Sequence, residues 1–369
     1  MSKDKVVYKK DVAFIDRERE LQYLGEYINV RPESILFLHG PKSSGKTTLL
    51  YKFFEQVESE QKLDVKFLNL REKYIANYKD FIRIFFGIDH SKVKEDIKEK
   101  REYSIFNFFK LSVEVLKGME SGELDPFEIM KTEFINLKKK GIKPVIIIDE
   151  LQAMDDIYMN DGKDKSLIIE LFNFFVAMTK ESHLAHIIIA SSDGYFINTV
   201  YNDSRLKKTS RFYRVDYLEK GDVYEWLLNL EKHSKIKDYM LTEEDAEKIW
   251  DTLGGSMWEI QDLLIDLFNT PIDEALALYI KKIRGMIAYY IGANDYKEKA
   301  LKVFLNKDGA DIKDFIRAGI AKEEADDLLR DLVRNNILYF DPTEALFYPQ
   351  GRSYHRGIKL YFESTPVNP

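Results

Sequence analysis

The stretch FLHGPKSSGKTTLL, residues 37 to 50, constrains this chain more than any other. The apolar run Ile35-Leu36-Phe37-Leu38 leads into a glycine-bearing segment, behind which Leu49, Leu50, Phe53, Phe54 and Val57 recur at helical spacing. The pattern predicts a strand, a tight loop and a helix. Gly40-Pro41-Lys42-Ser43-Ser44-Gly45-Lys46-Thr47 matches G-x-x-x-x-G-K-[ST], and Thr48 continues it into the helix. The glycines let backbone amides wrap a phosphate, and the helix amino terminus adds positive potential. Lys46 then reaches the β- and γ-oxygens while Thr47 ligates Mg2+. Residues Gly40 to Thr48 are therefore the expected nucleotide-binding residues.

A phosphate cradle needs a partner that holds the metal and prepares water. Val145-Ile146-Ile147-Ile148-Asp149-Glu150 supplies two acids at the end of an apolar, strand-length run. Asp149 is placed to bind the metal through its water shell, and Glu150 to take a proton from attacking water. A further apolar run, His186 to Ala190, ends in Ser191-Ser192-Asp193. Ser192 reads equally as a group reaching the γ-phosphate or the lytic water and as part of a helix or turn cap. Arg205, Lys207, Lys208, Arg211 and Arg214 then form a basic cluster in which Arg211 or Arg214 is a candidate phosphate contact, in cis or across a subunit interface. His183 and His186 have a spacing compatible with metal ligation on a helix, but no third ligand accompanies them and they lead into a strand pattern.

The 369 residues exceed one usual core, and the pattern of elements divides them. Strands alternate with helices up to about residue 216, which predicts a parallel sheet covered on both faces, interrupted by a charged, mostly helical insertion at about 78–140. Helical patterns alone run from 217 to 293 and read as a lid. Residues 294–369 read as three helices followed by two β-like pieces around Asp341-Pro342-Thr343, a winged-helix-like unit. The formal charge of −7 gives the whole molecule no net attraction for nucleic acid or an anionic membrane, and the absence of cysteine removes disulfides, thiolate metal sites and cysteine nucleophiles together. No apolar stretch at the amino terminus is long enough for a signal peptide, so a cytoplasmic location is expected.

These motifs, in this order, resemble the archaeal ATPase family, relatives of the STAND and AAA+ ATPases. The resemblance starts at FIDRERELQYL, residues 14 to 24, and takes in GPKSSGKTT, VIIIDELQ, ASSD, SRFYRV and LGGSMWEI. It implies an additional-strand P-loop core with its catalytic glutamate on the second motif strand, a helical lid and a winged helix. It also implies ATP with Mg2+ as cofactors, slow hydrolysis of ATP to ADP and phosphate, and a position for Phe14, Ile15 and Arg17 near the base or the lid hinge. The arginine segment KKTSRFYR lacks the glycine usual in that family, which leaves the choice between Arg211 and Arg214 open.

Origin-recognition initiators share the same sequence of motifs, so DNA binding is the rival expectation. Charge weighs against it. The third helix of the winged-helix-like unit, residues 322–336, carries five acids against three bases, a net of −2, and an acidic helix reads a phosphate-lined groove poorly. Arg352, His355, Arg356 and Lys359 beyond the wing keep the DNA alternative open. The expected function is an ATP-driven molecular switch, with a protein partner or self-association through the lid, the insertion or the winged helix.

Overall fold

The computed structural model describes residues 14–364 apart from 58, 61, 89–108, 112, 160–165, 204, 205 and 234–239, so Arg205 and part of the insertion lie outside the described residues. The described strands are β1 (Ile35–His39), β2 (Leu63–Asn69), β3 (Phe86–Ile88), β4 (Phe109–Leu111), β5 (Lys143–Asp149), β6 (His186–Ala190), β7 (Ser210–Arg214), β8 (Leu338–Asp341) and β9 (Leu346–Pro349). Five of them form one parallel sheet in the order β2-β5-β6-β1-β7. Strand β6 is thus inserted between the strand that feeds the cradle and the strand that carries the acids. This is the additional-strand arrangement that the family resemblance implied.

Period-two patterning builds both faces of the sheet. Leu36, Leu38, Val145, Ile147, Ile188 and Ala190 face one side, where they pack against helices Glu18–Asn29 and Lys46–Val57 through Leu24, Ile28, Leu50 and Phe53. Ile35, Phe37, Ile146, Ile148, Ile187 and Ile189 face the other, under helices Pro126–Lys139, Leu167–Val176 and Gly194–Asn202. Every residue of β1 and β6 is buried, which is why these runs lack the polar alternation of a half-exposed strand.

Two elements differ from the sequence reading. The basic stretch before residue 216 includes an edge strand, β7, in register with β1 from Ile35–Ser210 to His39–Arg214. Its Ser-Arg-Phe-Tyr-Arg pattern is only partly buried, so the apolar run that announces an interior strand is missing. The insertion, read as mostly helical, contains a short parallel ladder between β3 and β4 beside helices Tyr78–Phe85 and Val113–Glu120.

Beyond β7 the chain is helical, as expected, until a hairpin of β8 and β9. Helices Lys220–Leu228, Glu243–Leu253, Met257–Asp266 and Ile272–Ile291 occupy the span expected to be a lid, and are called the lid helices; Thr242 and Asp245 close a reciprocal capping box at the start of the second. Helices Asp295–Lys302, Ile312–Arg317 and Lys322–Arg334 precede the hairpin, and helix Arg352–Ser364 follows it. Lid and C-terminal unit share one apolar cluster that joins Trp226, Ile260, Ile283 and Ile287 to Phe304, Leu329, Phe347 and Ile358. The last helix packs along Ile272–Ile291, so the boundary near residue 293 divides the chain without dividing its core. No described helix is long and apolar enough to cross a membrane.

Candidate functional site

The carboxyl ends of β1, β5 and β6 converge on the loop between β1 and helix Lys46–Val57, the end of a parallel α/β sheet where ligands bind. The loop turns sharply. Gly40 has φ +149°, and a Cβ there would stand 2.0 Å from the Val215 carbonyl oxygen, so no other residue fits. Ser43, at φ 65°, holds a left-handed conformation without being glycine, the kind of local strain that clusters at ligand sites.

Lys46 is 5% exposed and folds back over the loop, donating to the carbonyls of Gly40 at 2.9 Å and Pro41 at 2.8 Å and to Ser44 Oγ at 3.3 Å. Burial holds its ammonium down to about 8, opposed by Glu150 and Asp149. Thr47 Oγ1 donates to Asp149 Oδ2 at 2.6 Å across the sheet end. Asp149 is fully buried, and burial pushes its carboxyl up to about 6 against the Thr47 hydrogen bond. Its second oxygen, Oδ1, is buried and has no hydrogen-bond partner. A hydroxyl and a carboxylate with an unused oxygen form a hard-oxygen donor pair of the kind Mg2+ accepts, so these residues fit the ion that the sequence implied.

Glu150 follows at φ 63°, with its amide bonded to the Ala190 carbonyl at 2.8 Å. This left-handed turn aims its side chain into a polar group. Arg71 Nη2 and Gln152 Nε2 both donate to the carboxylate, and Ser192 Oγ lies 3.1 Å from Oε1. Arg71 Nη2 also donates to Ser192 Oγ at 3.2 Å. Asp193, two residues after Ser191, caps the next helix by accepting from the amides of Tyr195 and Phe196. Of the two readings of Ser191-Ser192-Asp193, the cap is seen at Asp193, while Ser192 hydrogen-bonds Glu150 beside the cradle.

A cleft of about 630 Å³ opens in front of this group. Lys42, Ser43 and Gly45 to Thr48 form its floor, Arg71, Glu150 and Ser192 one wall, and the lid residues Met257, Trp258 and Glu259 another. Lys282 and Met286 of the long lid helix and Asn336, Gln350 and Tyr354 of the C-terminal unit complete it. The loop is gripped from three directions. Arg17, 5% exposed, donates to the Ser44 carbonyl and to the Asp216 carbonyl, each at 2.8 Å, and so ties the cradle to the entrance of the lid. Tyr217 Oη donates to the Lys42 carbonyl at 2.9 Å. In the orientation that satisfies both its neighbours, the Gln350 amide accepts from the Lys42 N–H at 2.7 Å and donates to the Leu338 carbonyl at 3.3 Å.

Several expected residues take other positions. Arg214 does not line the cleft; it pairs with Asp341 at 2.6 Å and Asp216 at 2.7 Å. Arg211 is exposed on edge strand β7 and does not line the cleft either. A contact in cis from either arginine to a bound phosphate is thus a correction to the sequence reading: residues on β7 lie beyond β1, and Arg214 is held by carboxylates. Ile15 is buried in the cluster of the helical region after residue 217 and Phe14 packs against the sheet cluster; neither lines the cleft. His183 lies in the loop before β6 and His186 begins that strand, so the pair is not on a helix; no group of three metal-ligating side chains occurs among the described residues.

Arg71, Tyr217, Glu259, Lys282 and Gln350 were not singled out from the sequence. Arg71 had a signal, because it lies two residues past the end of β2, and parallel strand ends in such sheets face the ligand. The others reach the cleft by tertiary packing, which leaves no local signature.

Comparison with known proteins agrees with this geometry. Residues 14–263 match the family described as an ATPase domain predominantly from Archaea. The chain is 34% identical over 361 residues to an uncharacterized ATP-binding protein of Methanocaldococcus jannaschii, covering 95% of each, and 34% identical over 359 residues to one of Pyrococcus abyssi, covering 96% of this chain and 99% of the other. Among solved structures, the ORC2 protein of Aeropyrum pernix, determined in ADPNP and ADP complexes, superposes with a TM-score of 0.50 over 96% of each chain at 12% identity, which shows a shared fold. A cradle, an acid pair and an inserted strand in this topology, with relatives matched along nearly their whole length, lead to one assignment: the chain belongs to the ATPase domain family found predominantly in Archaea.

Proposed function

We propose that the protein is a Mg2+-dependent ATPase that works as a nucleotide-driven switch, with the C-terminal unit as the part that moves. The observation that carries this reading is the Lys42 peptide, whose N–H is taken by Gln350 of the C-terminal unit and whose carbonyl is taken by Tyr217 at the start of the lid. A ligand that claims the loop amides competes with Gln350, so occupancy of the cleft and docking of the C-terminal unit are linked. Thermodynamic linkage makes that coupling reciprocal.

In this mechanism the backbone amides from Lys42 to Thr48 and the Lys46 ammonium hold the phosphates, Lys46 giving up its contacts to the Gly40 and Pro41 carbonyls. Thr47 and Asp149 would hold Mg2+, which would offset the negative charge of the phosphates. Glu150 takes the proton from the attacking water. Arg71 and Ser192 hold its carboxylate in place until then, so hydrolysis requires Glu150 to exchange an arginine partner for water, which favours slow turnover.

The output is more consistent with protein than with DNA. Strand β8 is buried along its whole length against the ATPase core, and Arg330 of helix Lys322–Arg334 lies over the Tyr195 ring at 4.9 Å. The face of that helix left exposed carries Glu323, Glu324, Asp326 and Asp327, an acidic surface that a phosphate-lined groove repels. The test is a pair of variants. Glu150→Gln should bind ATP in calorimetry with the parent's affinity while losing about a hundredfold or more in hydrolysis, the scale of a lost general base; Lys46→Ala should lose ATP binding. Hydrolysis by Glu150→Gln at the parent's rate would overturn the assignment of the base.

A further inference from the structure

The amino ends of the strands, opposite the nucleotide cleft, frame a second cleft of about 440 Å³. Three loops build it: the turn from helix Glu18–Asn29 into β1, the turn from helix Pro126–Lys139 into β5, and the loop into β6. Its mouth carries Arg31, Lys138 and Lys143, all exposed, and its lining holds no carboxylate among the described residues. None of the three cations forms an ion pair among the described residues; Lys138 Nζ meets only the His183 carbonyl, at 3.4 Å. On a protein of net charge −7, three uncompensated cations around one concavity form a local field that attracts anions.

The interior wall carries an independent sign. His186 is 1% exposed and lines the cleft; the Val30 carbonyl stands beside its ring, but neither ring nitrogen has a partner in hydrogen-bonding geometry. A polar group left unsatisfied inside a protein is costly, and a bound species that completes its hydrogen bonding removes that cost. The ring is fixed by an edge-to-face contact with Tyr27 at 5.3 Å, and it cannot swing away to find water elsewhere. His183, anchored by Nδ1 on the Pro32 carbonyl at 2.5 Å, lines the same cleft.

We propose that this second cleft binds a ligand through a phosphate group, with His186 contacting it from inside and Arg31, Lys138 and Lys143 supplying the opposing charge. The volume exceeds that of phosphate alone, so the group comes either as the free anion with water or as part of a small phosphate ester. The site is separate from the cradle and shares no lining residue with it.

The test is histidine-labelled NMR on the full chain carrying Lys46→Ala, so that phosphate does not occupy the cradle, with the parent saturated with ADP as a second preparation. Inorganic phosphate and O-phosphoserine are titrated at constant ionic strength, and the His186 signals are assigned with His186→Gln. The His186 signals should shift and saturate, and Lys143→Ala or Arg31→Ala should each weaken binding by up to about fivefold, the scale of an exposed charge contact. The tighter of the two ligands identifies the source as free anion or ester. Stationary His186 signals at saturating phosphate, or a titration unchanged by both substitutions, would overturn the proposal and leave a vestibule filled by water.

Discussion

His39 shows how one residue at a strand end can carry several roles. It ends β1, is 2% exposed, and places Nδ1 3.2 Å from the hydroxyl of Tyr339 in β8, so it joins the ATPase core to the C-terminal unit. Burial holds its imidazole down to about 4, with Asp341 opposing and Arg214 and Lys46 reinforcing. The sign follows from proton counting. Between the ordinary value near 6.5 and about 4 the unfolded chain binds more protons than the folded one, so stability is complete above pH 6.5 and is lost as the pH falls towards 4. At pH 5 the loss from this one group is about 2 kcal/mol. His39→Gln keeps a hydrogen-bonding side chain without that titration and should lose less stability between pH 7 and pH 5, as read by urea unfolding at the two values. Gln350 gives the second prediction at this scale. If its amide competes with a phosphate for the Lys42 N–H, Gln350→Ala should tighten ATP binding by about two- to tenfold, one hydrogen bond's worth, in calorimetry.

Among the helices, two glycines separate close packing from mere permission. Gly357, in the final helix, faces the long lid helix so closely that a Cβ would lie 2.6 Å from Ile283 Cγ2 and 3.1 Å from Ile287 Cδ1. Ile283 is β-branched and stiff, so the strain has little escape. Gly357→Val should destabilise by roughly 1–3 kcal/mol in thermal or denaturant unfolding, the cost of overpacking a core. Gly285, on the long lid helix itself, has nothing within 4 Å of where a Cβ would stand, so Gly285→Ala should stabilise by roughly 0.5–1 kcal/mol through helix propensity. The sequence alone treats both as helix-interior glycines. The insertion shows the same limit: β3 and β4 pair only because the fold brings Phe86 to Phe109, and three-residue strands carry too little periodicity to announce themselves.

For the molecule as a whole, the contact between the ATPase core and the C-terminal unit is the surface on which a switch would act. Tyr195 of helix Gly194–Asn202 stacks on Phe340 at 5.5 Å, Arg214 at the end of β7 pairs with fully buried Asp341, and His39 meets Tyr339. Asp341 also accepts from the Thr343 amide and hydroxyl, so the hairpin turn and the docking contact share one carboxylate. Arg214→Gln removes the charge that compensates Asp341 and should loosen docking without touching the cleft, read as a larger radius of gyration in X-ray scattering and faster proteolysis between residues 202 and 220. An unchanged radius would show that the aromatic contacts hold the unit by themselves.

The sequence by itself determined the core of this protein. Gly40 to Thr48 and Val145 to Glu150 each hold their chemistry in a few consecutive residues, and the helix and strand periods around them are local properties of the backbone. The order of the buried runs was enough to expect a parallel sheet, and the acidity of residues 322–336 already argued against a groove reader. Tertiary structure alone decided which side chains complete the site. Arg71 meets Glu150 across 79 residues, Arg214 meets Asp341 across 127, and the cleft closes with Glu259, Lys282 and Gln350 from elements folded back over the core. Such contacts depend on how packed surfaces meet, and an arginine leaves the same trace in the sequence whether it faces a phosphate, a carboxylate or water.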